Sequence, residues 1–429
     1  MLNMVCCGGR FSDDALKRVV KSWMESAALS GWRPGQGADM EEILGAKEMG
    51  AKPGEPFDQV YPDFEALETA VGAGTFDFWI DALFRDIDEG CEPHLPAFRV
   101  HLKLDRYSRK KQLSNSWRII QGSDALLLLA SMRVFKRMVT AAEHSHPRIF
   151  LYNTYPRWLD IVVGRVGSRP TAGMDYTGYD ESQPANVIYA LVKSLTLASG
   201  VVSERVADWF ARSYAYSLVV AADGFVLAKC GGNSSGGYLT GVINSCNNDL
   251  MHFDCWAEYF DCPVDEVLGH VDWVMCGDDD LETPPSVGAL QSVIDLMQNR
   301  FGARVKLDVM SGELYPAQCH APFLSRVSTR IGDLVFRIPS EPCRMLSSWQ
   351  VPVGEEVEQV DGMYTGLMQE LVAYRFVRET GVIFPIPTPV FSFLEDYDRY
   401  RSERSLDGGL PGHQTLEEAL EIAFSQYLE

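Results

Sequence analysis

Three short strings in this 429-residue chain combine residue types that could do chemistry together. Asp175-Tyr-Thr-Gly-Tyr-Asp180 sets two carboxylates around a glycine. Ser235-Gly236 is followed by Thr240 and Asn244 in the form SG-x3-T-x3-N, and Gly277-Asp278-Asp279 follows the apolar run Val271–Met275. Alone, each string is weak. Acid pairs are common on surfaces, a GDD triplet arises by chance in roughly one chain in ten at ordinary composition, and the serine-glycine string in roughly one in a hundred. All three in this order point to nucleotidyl transfer. Two divalent ions about 4 Å apart can activate a 3′-hydroxyl and stabilise departing pyrophosphate, but clamping them takes carboxylates from two backbone segments. Asp175 and Asp278 supply them. Adjacent aspartates on a straight strand face opposite ways, so Gly277 suits a tight turn that brings Asp278 and Asp279 to the same ions. Hard oxygen donors select Mg2+, with Mn2+ as a substitute. Thr240 and Asn244 share one face of a helix, and with Asp180 they could hydrogen-bond a ribose 2′-hydroxyl. Ser235 and Gly236 lead into that helix, near a templating base. A phosphate-binding P-loop at Gly231–Gly237 is excluded, because no Lys-Ser or Lys-Thr follows at the required spacing.

Charge is distributed to match. The net charge of −21 argues against a protein that coats itself in nucleic acid or anionic membrane. The total hides an uneven pattern. Residues 39–92 hold fifteen acids and three bases, and residues 395–429 hold nine acids and three bases. Between them, Arg99–Arg137 holds ten bases and two acids, a net of +8. Such an island suits phosphates, because screening makes local charge count for more than a distant total. The ten cysteines are scattered without a CxxC pair, which fits reduced thiols and no zinc site. The first residues lack a secretory pattern, and the longest apolar runs are too short to span a bilayer, so no membrane anchor is expected.

The elements that must position these groups are a mixture of strands and helices, an α+β arrangement. Phe98–Asp105 alternates apolar with polar, placing Arg99, His101 and Lys103 on one face of a strand; Ser108–Ser116 is a polar loop and Trp117–Ile120 a returning strand. Helices are expected over Asp13–Leu29, Asp124–Ala142, Val187–Leu197, from the glycine-rich Gly231–Gly237 to about Cys262, from Ser286 to about Arg300, around Gly366–Thr380 and from Thr415. Ala321–Ile338 reads as a hairpin turning at Gly332-Asp333.

On these residues the chain resembles the viral RNA-dependent RNA polymerases. Asp175–Asp180 looks like their motif A, Ser235–Asn244 like motif B and Gly277–Asp279 like motif C. Lys103–Ile120 is similar to motif F, which implies Arg118 over the incoming triphosphate with Lys103, Lys110 and Lys111 nearby. Lys306, in Gly302-Ala-Arg-Val-Lys306, matches the motif D position of a general acid that protonates pyrophosphate. Phe323-Leu324-Ser325-Arg326 looks like motif E, the grip on the primer end. Glu282 after the aspartates, with Asp175-x-x-Gly-x-Asp180 and Thr240-x-x-x-Asn244-Ser245, is most similar to the sobemovirus-like positive-strand group, although totivirus-like enzymes share two of the strings. Cys276 stands where many members have Tyr or Met. The region before Arg99 matches no motif.

The resemblance implies a right hand with fingers, palm and thumb, the palm an antiparallel sheet with helices. Residues 1–165 would form an N-terminal segment and fingers, 166–183 the palm with motif A, 184–229 a fingers insertion, 230–336 the palm with motifs B to E, and 337–429 the thumb. The implied partners are RNA template and product, ribonucleoside triphosphates, and, in such systems, a protein primer and other viral replication proteins. The implied location is a replication complex in the host cytoplasm. Two other readings compete. A reverse transcriptase or other palm-type nucleotidyltransferase would favour an aromatic blocker where Asn244 stands. A non-catalytic RNA-binding scaffold would leave Asp175, Asp278 and Asp279 as mutually repelling carboxylates with no task.

Overall fold

The computed structural model describes residues 8–47, 51–53, 57, 60–93, 96–102, 113, 119–151, 159–167, 169–221, 223–317, 319–331, 334–349, 367 and 370–406. The chain divides into two compact units. The first comprises Met1–Tyr152, Met174–Asp280 and Gly288–Leu307; the second comprises Asn153–Gly173, Leu281–Val287 and Asp308–Glu429.

The first unit is built on helices that start where the sequence offers caps. Ser12 accepts from the Ala15 N–H to open the helix Asp13–Leu29, and Asp124 accepts from the Leu127 N–H at 2.8 Å to open Ala125–Ser145. The expected Val187–Leu197 helix runs from Ala185 to Ser199 and ends on Gly200 in the left-handed conformation. A helix at Glu204–Ala215, not anticipated from sequence, is capped by Ser203.

Strand β1 (Ala97–Leu102) pairs antiparallel with β2 (Ile119–Gly122), Arg99 opposite Gly122 and His101 opposite Ile120. The hairpin expected there is thus present at its base, while residues 103–112 and 114–118 lie outside the described residues. The other edge of β1 pairs parallel with β4 (Leu218–Val220), which pairs with β5 (Val226–Ala228), giving the order β2-β1-β4-β5.

A second sheet is built from β3 (Ala172–Tyr176), β6 (Trp273–Cys276), β7 (Asp279–Glu282) and β8 (Val305–Asp308), in the order β6-β7-β3-β8. Strand β3 therefore lies between the strand after Gly277 and the strand that carries Lys306.

The helix Thr240–Phe260 is the unusual element. Buried residues run unbroken from Val242 to Trp256, and they include Asn244, Ser245, Asn247, Asn248, Asp249, His252 and Asp254. A helix buried on all sides is normally apolar all round. Here the polar groups must find partners, because an unmatched buried group costs about 1–3 kcal/mol. Several find them on neighbouring segments. Arg148 Nε and Nη2 fork Asp249 at 3.1 Å each, and Trp273 Nε1 donates to the same carboxylate at 2.7 Å. Asp254 accepts from the Ser12 N–H at 3.0 Å and pairs with Arg300.

In the second unit, β9 (Arg326–Ile331) and β10 (Leu334–Pro339) form the expected hairpin, Arg326 opposite Pro339. Its turn at Gly332-Asp333 lies outside the described residues. Phe336, Ile338, Leu371, Val372, Val390 and Leu394 share a core with the helices Val372–Thr380 and Thr388–Leu406. The helix expected from Thr415 lies outside the described residues. Among the described residues, no helix is long and apolar enough to cross a membrane.

Candidate active site

Asp175 is the single exposed position of β3, whose neighbours Met174 and Tyr176 are buried. Gly277 has φ 67°, a conformation costly for any side chain, and it makes the turn between β6 and β7. That turn is held from the Thr240–Phe260 helix at two points. The Gly277 N–H donates to Ser245 Oγ at 2.9 Å, and its carbonyl accepts from Asn248 Nδ2 at 3.0 Å. Asp278 and Asp279 follow, both exposed, and Asp280 turns inward.

The carboxylates feel one another. Desolvation first, then the charges of Asp278 and Asp175, push the Asp279 pKa up to about 6. Burial, with the charges of Asp279 and Asp278, pushes the Cys276 thiol up to about 12, so it stays protonated at neutral pH and acts as packing. Among the described residues, no three His, Cys, Asp or Glu side chains close into a preformed chelate. That fits the donor set's chemistry: Mg2+ is commonly held by one or two carboxylates, waters and substrate phosphates, seldom by an all-protein cage.

Asp180 and Asn244 are brought together as expected, Asn244 Nδ2 donating to Asp180 Oδ1 at 2.6 Å. Asn244 Oδ1 in turn accepts from Gln183 Nε2 and, at 2.7 Å, from Asn233 Nδ2. The amide is oriented on both sides. Tyr179 donates to the Asn244 carbonyl at 2.8 Å, and burial, with Asp278, Asp180 and Asp280 nearby, raises its pKa so that it stays a donor. Thr240 is placed differently from a direct sugar contact: its hydroxyl lies 2.8 Å from the Gly237 carbonyl and also within reach of that of Ser234, so it shapes the preceding loop.

That loop is stitched to β2. Ser235 Oγ accepts from the Gln121 N–H at 3.2 Å, the Gly236 N–H donates to the Gln121 carbonyl at 3.0 Å, and Ser234 Oγ donates to Gln121 Oε1 at 2.9 Å. A Cβ on Gly236 would stand 2.6 Å from the Gln121 carbonyl, so only glycine allows this approach. Lys229, buried, donates to Ser234 Oγ at 2.6 Å; burial pulls its pKa down to about 8, against the opposing pull of Asp180. Neither Gln121 nor Lys229 was signalled by any motif.

Lys306 is exposed on β8 beside β3. Lys103, Lys110, Lys111 and Arg118 lie outside the described residues. In the second unit, Phe323 and Arg326 pair around a two-residue turn in which Leu324 and Ser325 both have positive φ, 50° and 58°. Arg326 Nε donates to Glu370 Oε2 at 2.7 Å, so its charge is already paired.

A family model described as viral RNA-dependent RNA polymerase matches residues 93–366, more than half of the chain, and the chain belongs to that family. It is an RNA-directed RNA polymerase, a nucleotidyltransferase of viral replication with the right-hand fold. Among solved structures, the Sicinivirus 3Dpol RNA-dependent RNA polymerase superposes with a TM-score of 0.69 at 15% identity, covering 98% of this chain and 87% of that one. No curated protein matches the sequence.

Proposed function

We propose that Asp175, Asp278 and Asp279 hold the divalent ions with which this polymerase joins ribonucleoside triphosphates to an RNA 3′ end on an RNA template. The observation that carries this reading is the placement of Asp175, the exposed position of β3, on the strand next to β7, whose entry turn carries Asp278 and Asp279. Burial first, and then the charges of Asp278 and Asp175, raise the Asp279 pKa to about 6, and cations relieve the charge part. When bound, Mg2+ supplies Lewis-acid activation of the 3′-hydroxyl and neutralises the triphosphate. The chain's own residues select and orient. Asp180 and Asn244 offer a carboxylate and an amide to the ribose 2′-hydroxyl. Ser235 and Gly236, fixed on β2, lie under the templating base, and Thr240 holds that loop in shape. Lys103, Lys110, Lys111 and Arg118 take the triphosphate, Lys306 protonates the departing pyrophosphate, and Phe323–Arg326 grip the primer end.

The assignment of residues 1–165 and 184–229 to fingers, 166–183 and 230–336 to palm and 337–429 to thumb belongs to the same reading. So do a sobemovirus-like lineage, work beside other viral replication proteins in a cytoplasmic replication complex, and a protein primer as a further partner. The decisive test uses purified protein, primed RNA and Mg2+. Asp278→Ala is expected to abolish extension while RNA retention stays near wild type; extension that persists would overturn the ion assignment.

A further inference from the structure

The residues on both sides of Asp175 are tied to the segment that carries Asp278 and Asp279. On one side, the Met174 N–H on β3 donates to Asp280 Oδ1 on β7 at 2.8 Å. On the other, the Tyr176 hydroxyl donates to Asn248 Oδ1 at 2.8 Å while Asn248 Nδ2 donates to the Gly277 carbonyl at 3.0 Å. Gly277 and Asp280 are themselves the residues that bracket the Asp278-Asp279 pair. Each flank of one carboxylate is thus fastened to one flank of the other two.

The fasteners are rigid. Asn248 and Asp280 are 0% and 2% exposed, and Asn248 uses its carbonyl and its amino group at once, which fixes the amide's orientation. Buried hydrogen bonds are stronger and more directional than exposed ones because no water competes. Asp175, Asp278 and Asp279 remain exposed between them.

We propose that Asp280 and Asn248 are positioning residues, a two-point brace that sets the spacing of Asp175 from Asp278 and Asp279 and thereby the affinity for divalent ions. The proposal rests on the reading of those three aspartates as ion-holding. What the brace needs from Asp280 is an acceptor oxygen for the Met174 N–H. His252 Nε2 stands 3.8 Å from Asp280 Oδ2, and the ring's Nδ1 lies 2.9 Å from the Asn248 carbonyl, to which it donates. Burial pulls the His252 pKa down to about 4, so with Nδ1 donating the ring presents a lone pair toward position 280, and an asparagine there keeps the acceptor while its amino group faces that lone pair.

The experiment compares Asp280→Asn, Asp280→Leu and Tyr176→Phe with wild type. Mn2+ binding is followed by electron paramagnetic resonance on protein loaded with primed RNA, and Mg2+ is titrated in the extension assay. Tyr176→Phe and Asp280→Leu are expected to raise the half-saturating concentration of both ions about fivefold each, the loss of one buried hydrogen bond, with nucleotide KM at saturating Mg2+ unchanged. Asp280→Asn is expected to restore the wild-type ion dependence. Wild-type ion affinity in Tyr176→Phe would overturn the brace, and so would an Asp280→Asn variant as weak as Asp280→Leu. If Asp280→Leu fails to fold by thermal melting, the other two variants decide. Asp278→Ala is run in parallel: if it binds Mn2+ as wild type does, the ion-holding reading itself fails, a result separable from failure of the brace.

Discussion

Asn244 Nδ2 donates to Asp180 Oδ1 at 2.6 Å, joining segments 64 residues apart in sequence. The amide is held from its other end by Gln183 and Asn233, so its donor cannot swing away when a nucleotide arrives.

Asn244→Ala should therefore narrow the preference for ribo- over deoxyribonucleotides. A hydrogen bond between a neutral amide and a hydroxyl contributes about 0.5–1.5 kcal/mol, so the selectivity ratio is expected to fall by roughly 2- to 10-fold. Competitive incorporation of matched ribo- and deoxyribonucleoside triphosphates measures it, and an unchanged ratio removes Asn244 from sugar selection.

One component of the pH dependence of the metal-free protein follows from Asp279. Its pKa is raised from 3.8 to about 6, so between those values the folded chain keeps a proton that the unfolded chain has released. Stability then falls as pH rises through that window. Asp279→Asn should melt higher than wild type at pH 7.5 in chelator, and the two should converge below about pH 4. Protons and divalent ions compete for the same carboxylate, so the Mg2+ requirement for extension should climb as pH drops below about 6.

Arg148 and Asp249 are 2% and 0% exposed at their side chains, a paired charge with no water to fall back on. Arg148→Met leaves the carboxylate buried without its counter-ion and is expected to cost about 3–5 kcal/mol in denaturant unfolding. Replacing both partners, Arg148→Met with Asp249→Leu, should recover much of that loss.

Ser325 sits at φ 58° in the turn between Phe323 and Arg326, next to Leu324 at φ 50°. Left-handed backbone costs an L-residue roughly 1–2 kcal/mol. Ser325→Gly should raise the unfolding midpoint by an amount near the lower figure. A lower midpoint would mean that the serine hydroxyl, not the turn, sets stability there.

The turn chemistry was legible in the sequence because it is local. Gly277 before two aspartates announces its own conformation, and the Asp13–Leu29 helix shows its cap and its period within one window. The Thr388–Leu406 helix was hidden by Pro387 and Pro389, which read as a break although proline is well tolerated in a first turn. Asp180 and Asn244 could be paired only because both belong to recognisable strings. Gln121, Lys229, Asn248 and Asp280 belong to none. Lys229 bonds Ser234 only five residues on, in a pattern no motif describes, while the other three bond remote groups, such as Asp280 to Met174 across 106 residues, and no spacing rule reaches that far.

The unbroken burial of the Thr240–Phe260 helix from Val242 to Trp256 also bears on how this polymerase tolerates errors in its own coding RNA. Ser245 and Asn248 are committed to the Gly277 turn, Asp249 to Arg148 and Asp254 to Ser12, so a miscopied codon there disturbs a specific tie in addition to the packing. An antiviral compound that leans on the exposed edge of Asn244 meets a residue with few escape substitutions, because the changes that would dislodge it also loosen the contact with Asp180.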